Sequence, residues 1–180
     1  MSQPKRPIRT DVAFHTPWFD ILAKTMDAGD EPYYSLRLPD YVSILAVTGD
    51  GRVLCLRQYR PPVERYTLEL PSGLIDPGET PEESARRELL EETGYQAGTL
   101  EVLPPMLPDT GRLGNRIWPC VAAGLHREEG REPEAGLEVV SLSVPELLRA
   151  TADGRFDHAL HVAVILMAQL RGKFPTEPRE

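Results

Sequence analysis

The 180-residue sequence has only two cysteines, no apolar run long enough to cross a membrane, and no excess of basic residues. Each shortage excludes something. Cys55 and Cys120 stand in the apolar runs "VLCLRQY" and "IWPCVAA", which reads as two buried free thiols and gives no support to a disulfide framework. The longest apolar stretch, "VAVILMA" at 162–168, falls far short of the roughly 20 residues that a membrane-spanning helix needs. The N-terminal "MSQPKRPIRT" is basic, but no apolar stretch follows it, so no secretory signal is read and a cytoplasmic location is expected. Lys+Arg number 20 against Asp+Glu 28, a net charge of −8. That average field repels nucleic acids and anionic membranes, and neither is expected as a partner. A small anionic substrate stays open, because a few arginines or a bound cation reverse the sign locally.

What is present is the composition of one globular domain, 41% hydrophobic and 27% charged, expected to span 1–180. There is no internal repeat, long linker or low-complexity tract. Residues 1–17 carry prolines and little periodicity and read as a loose arm. The first half is then β-rich: "WFDILAKTM", "YYSLRL", "YVSILAV", "VLCLRQY" and "TLEL" alternate or run apolar. "TGDGR" at 48–52 is a hairpin turn between two of them. After the Gly/Pro-rich "PSGLIDPGE", Thr80-Pro81-Glu82-Glu83 reads as a capping box opening a helix that Gly94 closes. Strands return at "LEVLPPML", "RIWPCVAAGL" and "LEVVSLS", with the acidic loop "HREEGREPEAG" between the last two. A second capping box at Ser143 and an apolar helix, "DHALHVAVILMAQL", complete the chain. The pattern predicts an α+β fold, a mixed sheet sandwiched by helices.

Chemistry concentrates in "ARRELLEETG", residues 85–94. At about 100° per residue, Glu88, Glu91 and Glu92 fall within roughly a 100° arc. Ala85 and Leu89 flank that arc and can anchor the helix to a sheet. Arg87 lies on its other side, four residues before Glu91. A solvated face laced by arginine–glutamate pairs would look similar. Three crowded carboxylates also suit a hard cation such as Mg²⁺ or Mn²⁺, which removes their repulsion.

The stretch before the helix decides between these. Residues 73–95, "GLIDPGETPEESARRELLEETGY", resemble the Nudix box at every defining position: Gly73, Glu79, Arg87, Glu88, Leu89, Glu91, Glu92, Gly94 and Tyr95. At average residue usage such a match arises by chance on the order of once in 10⁸ windows. The resemblance implies the Nudix fold, an α/β/α sandwich with a mixed sheet, here with an N-terminal antiparallel β region. It also implies hydrolysis of a diphosphate linked to another moiety, with Mg²⁺ as cofactor and Mn²⁺ able to substitute. Carried over, Glu88 and Glu92 are the main metal ligands, with Glu91 as a further ligand or orienting group and the carbonyl of Ser72 completing the set. Arg87 would hold the glutamates and Glu79 would brace the loop.

The lead-in "QYRPPVERYTLELPSGLIDPGE" resembles that of ADP-ribose pyrophosphatases and related nucleoside diphosphate sugar hydrolases. In that group the arginine matching Arg60 contacts the substrate's phosphates. A charge at a strand end would look alike. Trp18 resembles an N-terminal tryptophan that stacks on the nucleobase, and an indole is equally a core residue. Members of this kind are homodimers whose N-terminal strands reach across, so residues 1 to about 40 are expected to form an arm with dimerisation strands and 41–175 the catalytic core. Where the ADP-ribose group carries a proline beyond the box, this chain has Thr110, which leaves other nucleoside diphosphate sugars open. The group's catalytic base is a glutamate on a late loop; of Glu128, Glu129, Glu132, Glu134 and Glu138, Glu134 lies nearest the expected place and Glu132 second.

The alternatives are a Nudix hydrolase of another nucleoside diphosphate derivative, or a non-catalytic nucleotide-binding module, although no box glutamate is missing. His158 and His161 lie one helical turn apart but, with no third ligand in sight, read as helix surface. Trp118 and Tyr66 read as packing.

Overall fold

The computed structural model describes residues 5–174, so the first four residues of the expected arm and residue 175 of the expected core lie outside it. Fourteen named segments follow one another along the chain. Strands β1 (Arg9–His15), β2 (Asp20–Thr25) and β3 (Tyr33–Arg37) come first. Then come β4 (Tyr41–Val47), β5 (Val53–Arg60), a single 3-10 turn (Pro61–Val63), β6 (Arg65–Glu69) and β7 (Ser72–Leu74). Helix α1 (Pro81–Thr93) leads into β8 (Tyr95–Val102), β9 (Ile117–Arg127) and β10 (Glu138–Leu142), and α2 (Val144–Ala152) and α3 (Ala159–Leu170) close the fold.

The first three strands make an antiparallel sheet in the order β1-β2-β3. The other seven form one mixed sheet, ordered β10-β5-β4-β9-β8, with β6 alongside β5 and β7 alongside β4. Its one parallel pair is β4 with β9, and the remaining pairs are antiparallel. The alternation of strands β4 and β5 sorts their side chains into two cores. Val42, Ile44, Ala46 and Leu54 pack with Ala85 and Leu89 of α1. On the opposite face, Leu45, Val53 and Cys55 pack with Leu147 of α2 and Val164, Ile165 and Ala168 of α3. Helices therefore cover both faces, the α/β/α sandwich in an α+β arrangement that the sequence pattern implies. Cys55 and Cys120 are free and buried, and burial pushes both thiols up to about 12, where they are unreactive. Among the described residues no helix is long and apolar enough to cross a membrane.

Two local expectations change. Residues 9–15 are a strand and not part of a loose arm: β1 pairs with β2 from Arg9↔Thr25 to His15↔Asp20. All seven of its residues are exposed, so backbone pairing forms the strand without a buried face, and an apolar alternation had nothing to report. Ser72–Leu74, inside the Gly/Pro-rich stretch, is also a strand, held to β4 at Val42↔Gly73 and Ser43↔Ser72.

Candidate active site

The box helix α1 is fixed at both ends by local chemistry. Thr80 Oγ1 accepts from Glu83 N, the Glu83 carboxylate accepts from Thr80 N at 2.8 Å, and Pro81 opens the first turn. Gly94, at φ 74°, ends the helix in the left-handed conformation and donates its N–H to Leu90 O. Ala85 and Leu89 are fully buried against the sheet. Anchoring this face turns Glu88 and Glu92 toward β7.

The contact there is close. Ser72 N–H donates to Glu92 Oε2 at 2.8 Å. A Cβ on Gly73 would lie 2.0 Å from Glu88 Cδ, so the absence of a side chain at position 73 makes the space that the Glu88 carboxylate fills. Arg87 binds four partners at once: Glu79 through two bonds of 3.0 and 3.1 Å, Glu88 at 2.7 Å, Glu91 at 3.3 Å and Leu74 O at 3.1 Å. The two bonds from Arg87, with a third from Ser84 Oγ, bring the Glu79 carboxyl down to about 2.

Glu88 and Glu92 respond in the opposite direction. Burial raises Glu88 despite the Arg87 bond. Burial likewise pushes Glu92 up to about 8; the Ser72 N–H opposes this, the charges of Glu88 and Glu134 add to it, and Arg60 offsets part. These are crowded, desolvated carboxylates in a cradle that a methyl group would fill. Together with the Ser72 carbonyl they offer only hard oxygen donors, a set that fits Mg²⁺ or Mn²⁺ and not a soft metal.

The charge of Arg60, at the end of β5, reaches Glu92. Arg60 is more than a strand-end charge: its Nε donates to Glu69 Oε1 at 2.9 Å and its Nη2 to Glu69 Oε2 at 2.7 Å. Glu69 is 1% exposed. Burial opposes its charge, but the bonds from Arg60 and Thr67 outweigh that and bring it to about 2. The pair lines an open cleft of about 630 Å³ between the Pro61–Val63 turn and the start of α3, with Thr67 and His158 also on its wall. Sequence reading passed over Glu69. The signal was present in "TLEL", where Thr67 and Glu69 fall on one face of a strand whose other face is leucine.

The acidic loop folds back over the end of α1. Glu128 N–H donates to Gly94 O at 2.9 Å and Glu134 N–H to Glu91 O at 3.0 Å. Glu134 is thereby tied to the box helix. Glu132 is exposed and 3.8 Å from Arg127, while Glu128 accepts from Gln96 and Glu138 from Arg57.

Trp18 sits on the turn between β1 and β2 and is 75% exposed, so it is not a core residue of this chain. It lines a separate hollow with His15 and Arg37, away from the cleft at Arg60. Trp118 does pack, half-buried, with its indole N–H on Asp40. Tyr66 does not: it is exposed, edge-on to Tyr59 and under the Arg57 guanidinium.

The two histidines also differ from the expected helix surface. His161 is 1% exposed, stacks on His158 at 3.8 Å, and has a third neighbour in Glu69, the three ligand atoms lying within 4.8 Å of one another. The cluster does not suit a metal. Leu70 N–H donates to His161 Nδ1 at 3.0 Å, so the neutral ring carries its proton on Nε2 and has no lone pair to give. Burial, with the nearby His158, holds His161 down at about 3 and therefore neutral. Both oxygens of Glu69 are engaged by Arg60.

Comparison with known proteins bears on the family and the fold. The NUDIX domain model matches residues 37–165. A methanol dehydrogenase activator of Bacillus methanolicus is 30% identical over 139 residues, 76% of this chain and 75% of the relative. An ADP-ribose pyrophosphatase of Bacillus subtilis (strain 168) is 35% identical over 114 residues, covering 62% of this chain and 62% of the relative. The solved structure of an ADP compounds hydrolase superposes with a TM-score of 0.77 at 25% identity, over 96% of this chain and 100% of the other. A sandwich fold carrying a complete box on its helix defines a Nudix hydrolase. The chain belongs to the NUDIX domain family.

Proposed function

We propose that the chain hydrolyses the diphosphate bond of a nucleoside diphosphate sugar, with ADP-ribose the leading case, to a nucleoside monophosphate and a sugar phosphate. The observation that carries this is the cradle of Glu88, Glu92 and Ser72 between α1 and β7, with the charge of Arg60 acting on Glu92 from the wall of an open cleft. The names of the B. subtilis relative and of the superposed structure point to ADP-linked substrates.

Glu88, Glu91, Glu92 and the carbonyl of Ser72 would hold Mg²⁺, or Mn²⁺ in its place. When bound, the cation neutralises the diphosphate and lowers the cost of forming the attacking hydroxide. Arg87 keeps Glu88 and Glu91 in register, the Ser72 N–H holds Glu92, and Glu79 braces the loop to the helix through Arg87 and Ser84. Arg60 donates N–H groups to a phosphate. Glu134 takes the proton from the attacking water as its oxygen bonds to phosphorus and the bridging P–O bond breaks. A panel of nucleoside diphosphate sugars with Mg²⁺ tests the reading: activity is expected to vanish on chelation and to return with Mg²⁺ or Mn²⁺. Metal-independent turnover, or none across the panel, would leave a nucleotide-binding module.

The active form is a homodimer, with residues up to about 40 as the arm and the rest to about 175 as the catalytic core. Val12, Phe14 and Tyr34 are exposed on the N-terminal sheet, and among the described residues β1 has one unpaired edge, which supports association there. Trp18 would then stack on the nucleobase in the partner's site. Light scattering at micromolar concentration is expected to give twice 20.1 kDa; a fully active monomer would remove the cross-subunit role of Trp18.

A further inference from the structure

Arginine carries five N–H donors in a rigid plane, and a long stem that lets the plane wander unless something holds it. At Arg60 the holding group is Glu69, which takes the Nε and Nη2 bonds and, among the described residues, leaves the Nη1 end unspent. The carboxylate that does this is itself immobile. Thr67 Oγ1 donates to Glu69 Oε1 at 2.6 Å, and Gln58 Nε2 stands 3.5 Å from Glu69 Oε2. Fixing a charged donor by a buried bidentate partner reduces the conformational freedom it loses when it binds an anion.

The residues that follow Glu69 are pinned one by one. Leu70 N–H is held by His161 Nδ1 at 3.0 Å, Pro71 O accepts from Ile44 N at 2.8 Å, and Ser72 N–H donates to Glu92 Oε2 at 2.8 Å. Four consecutive residues thus hold Arg60 at one end and Glu92 at the other, both braced on α3 and the central strand β4. We infer that Glu69 is a positioning residue: it aims Arg60 so that the unspent N–H groups meet the substrate's diphosphate beside Glu92. The inference rests on the reaction proposed above and assigns to the buried glutamate of "TLEL" a role that acts through Arg60.

The test is a double-mutant cycle read in steady-state kinetics with ADP-ribose and Mg²⁺. Glu69→Gln keeps the side chain's shape but turns an N–H donor toward the guanidinium. Arg60 is part-exposed and can turn to water, so no buried charge is stranded. KM is expected to rise about 10- to 100-fold with kcat changed much less, the pattern of a lost ground-state contact to a charged group. Arg60→Ala should give a similar rise. In the Arg60→Ala background, Glu69→Gln should add less than about twofold, because residues acting through one another are not additive. Equal effects in both backgrounds would overturn the inference and make Glu69 a structural residue. If Glu69→Gln fails to fold, Thr67→Val, which removes only the hydroxyl on the carboxylate, repeats the cycle with a smaller rise expected. Absence of turnover in the unsubstituted chain would bring down the reaction and the inference with it; turnover with additive effects brings down the inference alone.

Discussion

Glu92→Gln is expected to cut kcat by several orders of magnitude while leaving the metal-free protein as stable as before, or more stable. The two halves have one cause. Glu92 is 8% exposed, and its burial disfavours the charged form so strongly that it is pushed up to about 8. A residue kept at such a position against its solvation is there for something other than the fold. Glutamine keeps the length and one acceptor for the Ser72 N–H, so the 2.8 Å bond to β7 can survive. It cannot balance a divalent cation, so Mg²⁺ dependence should weaken along with kcat. Kinetics against Mg²⁺ concentration and a thermal melt under chelation check both parts. Near-normal turnover, or a large loss of stability, would move Glu92 from the reaction to the scaffold.

Glu134→Gln is the second large effect: kcat should fall roughly 10²–10⁴-fold, with metal affinity and substrate binding nearly intact. Glu134, like Glu128, is bonded through its backbone to the end of α1, but of the late-loop glutamates it is Glu134 whose charge acts on Glu92. Glu132 points to solvent near Arg127 instead. Both residues are on an exposed loop, so neither change should move stability much. Rates for the two variants, compared under saturating Mg²⁺, decide between them. A crippled Glu132→Gln beside an unaffected Glu134→Gln would shift the base by two residues and keep the mechanism. If neither variant lost activity, the loop would supply no base at all.

Much of this protein was decided by short stretches of chain. The spacing of Glu88, Glu91 and Glu92 around apolar Ala85 and Leu89 determines a helix with one anchored and one acidic face, and Thr80 and Gly94 determine where it starts and stops. The alternation in "YVSILAV" and "VLCLRQY", joined by "TGDGR", determines a hairpin at the centre of the sheet. These features are local: each depends on residues a few positions apart, which sequence order places together. What the tertiary structure alone decided lies between distant segments. Arg60 and Glu69 share a hairpin, but whether that carboxylate is buried depends on α3, some 90 residues on, whose His161 also receives Leu70 N–H. His161 looked like surface because the helix α3 is apolar nearly all round, so periodicity did not say which side faces inward. Strand β1 had no apolar alternation because it has no buried face, and pairing with β2 alone forms it. Tyr66, an aromatic in a strand, had the chemistry of a packed residue but is exposed in the folded chain. Burial is a property of the assembled chain. A sequence states which groups can pair or bury, and only the packing of remote elements settles which of them do.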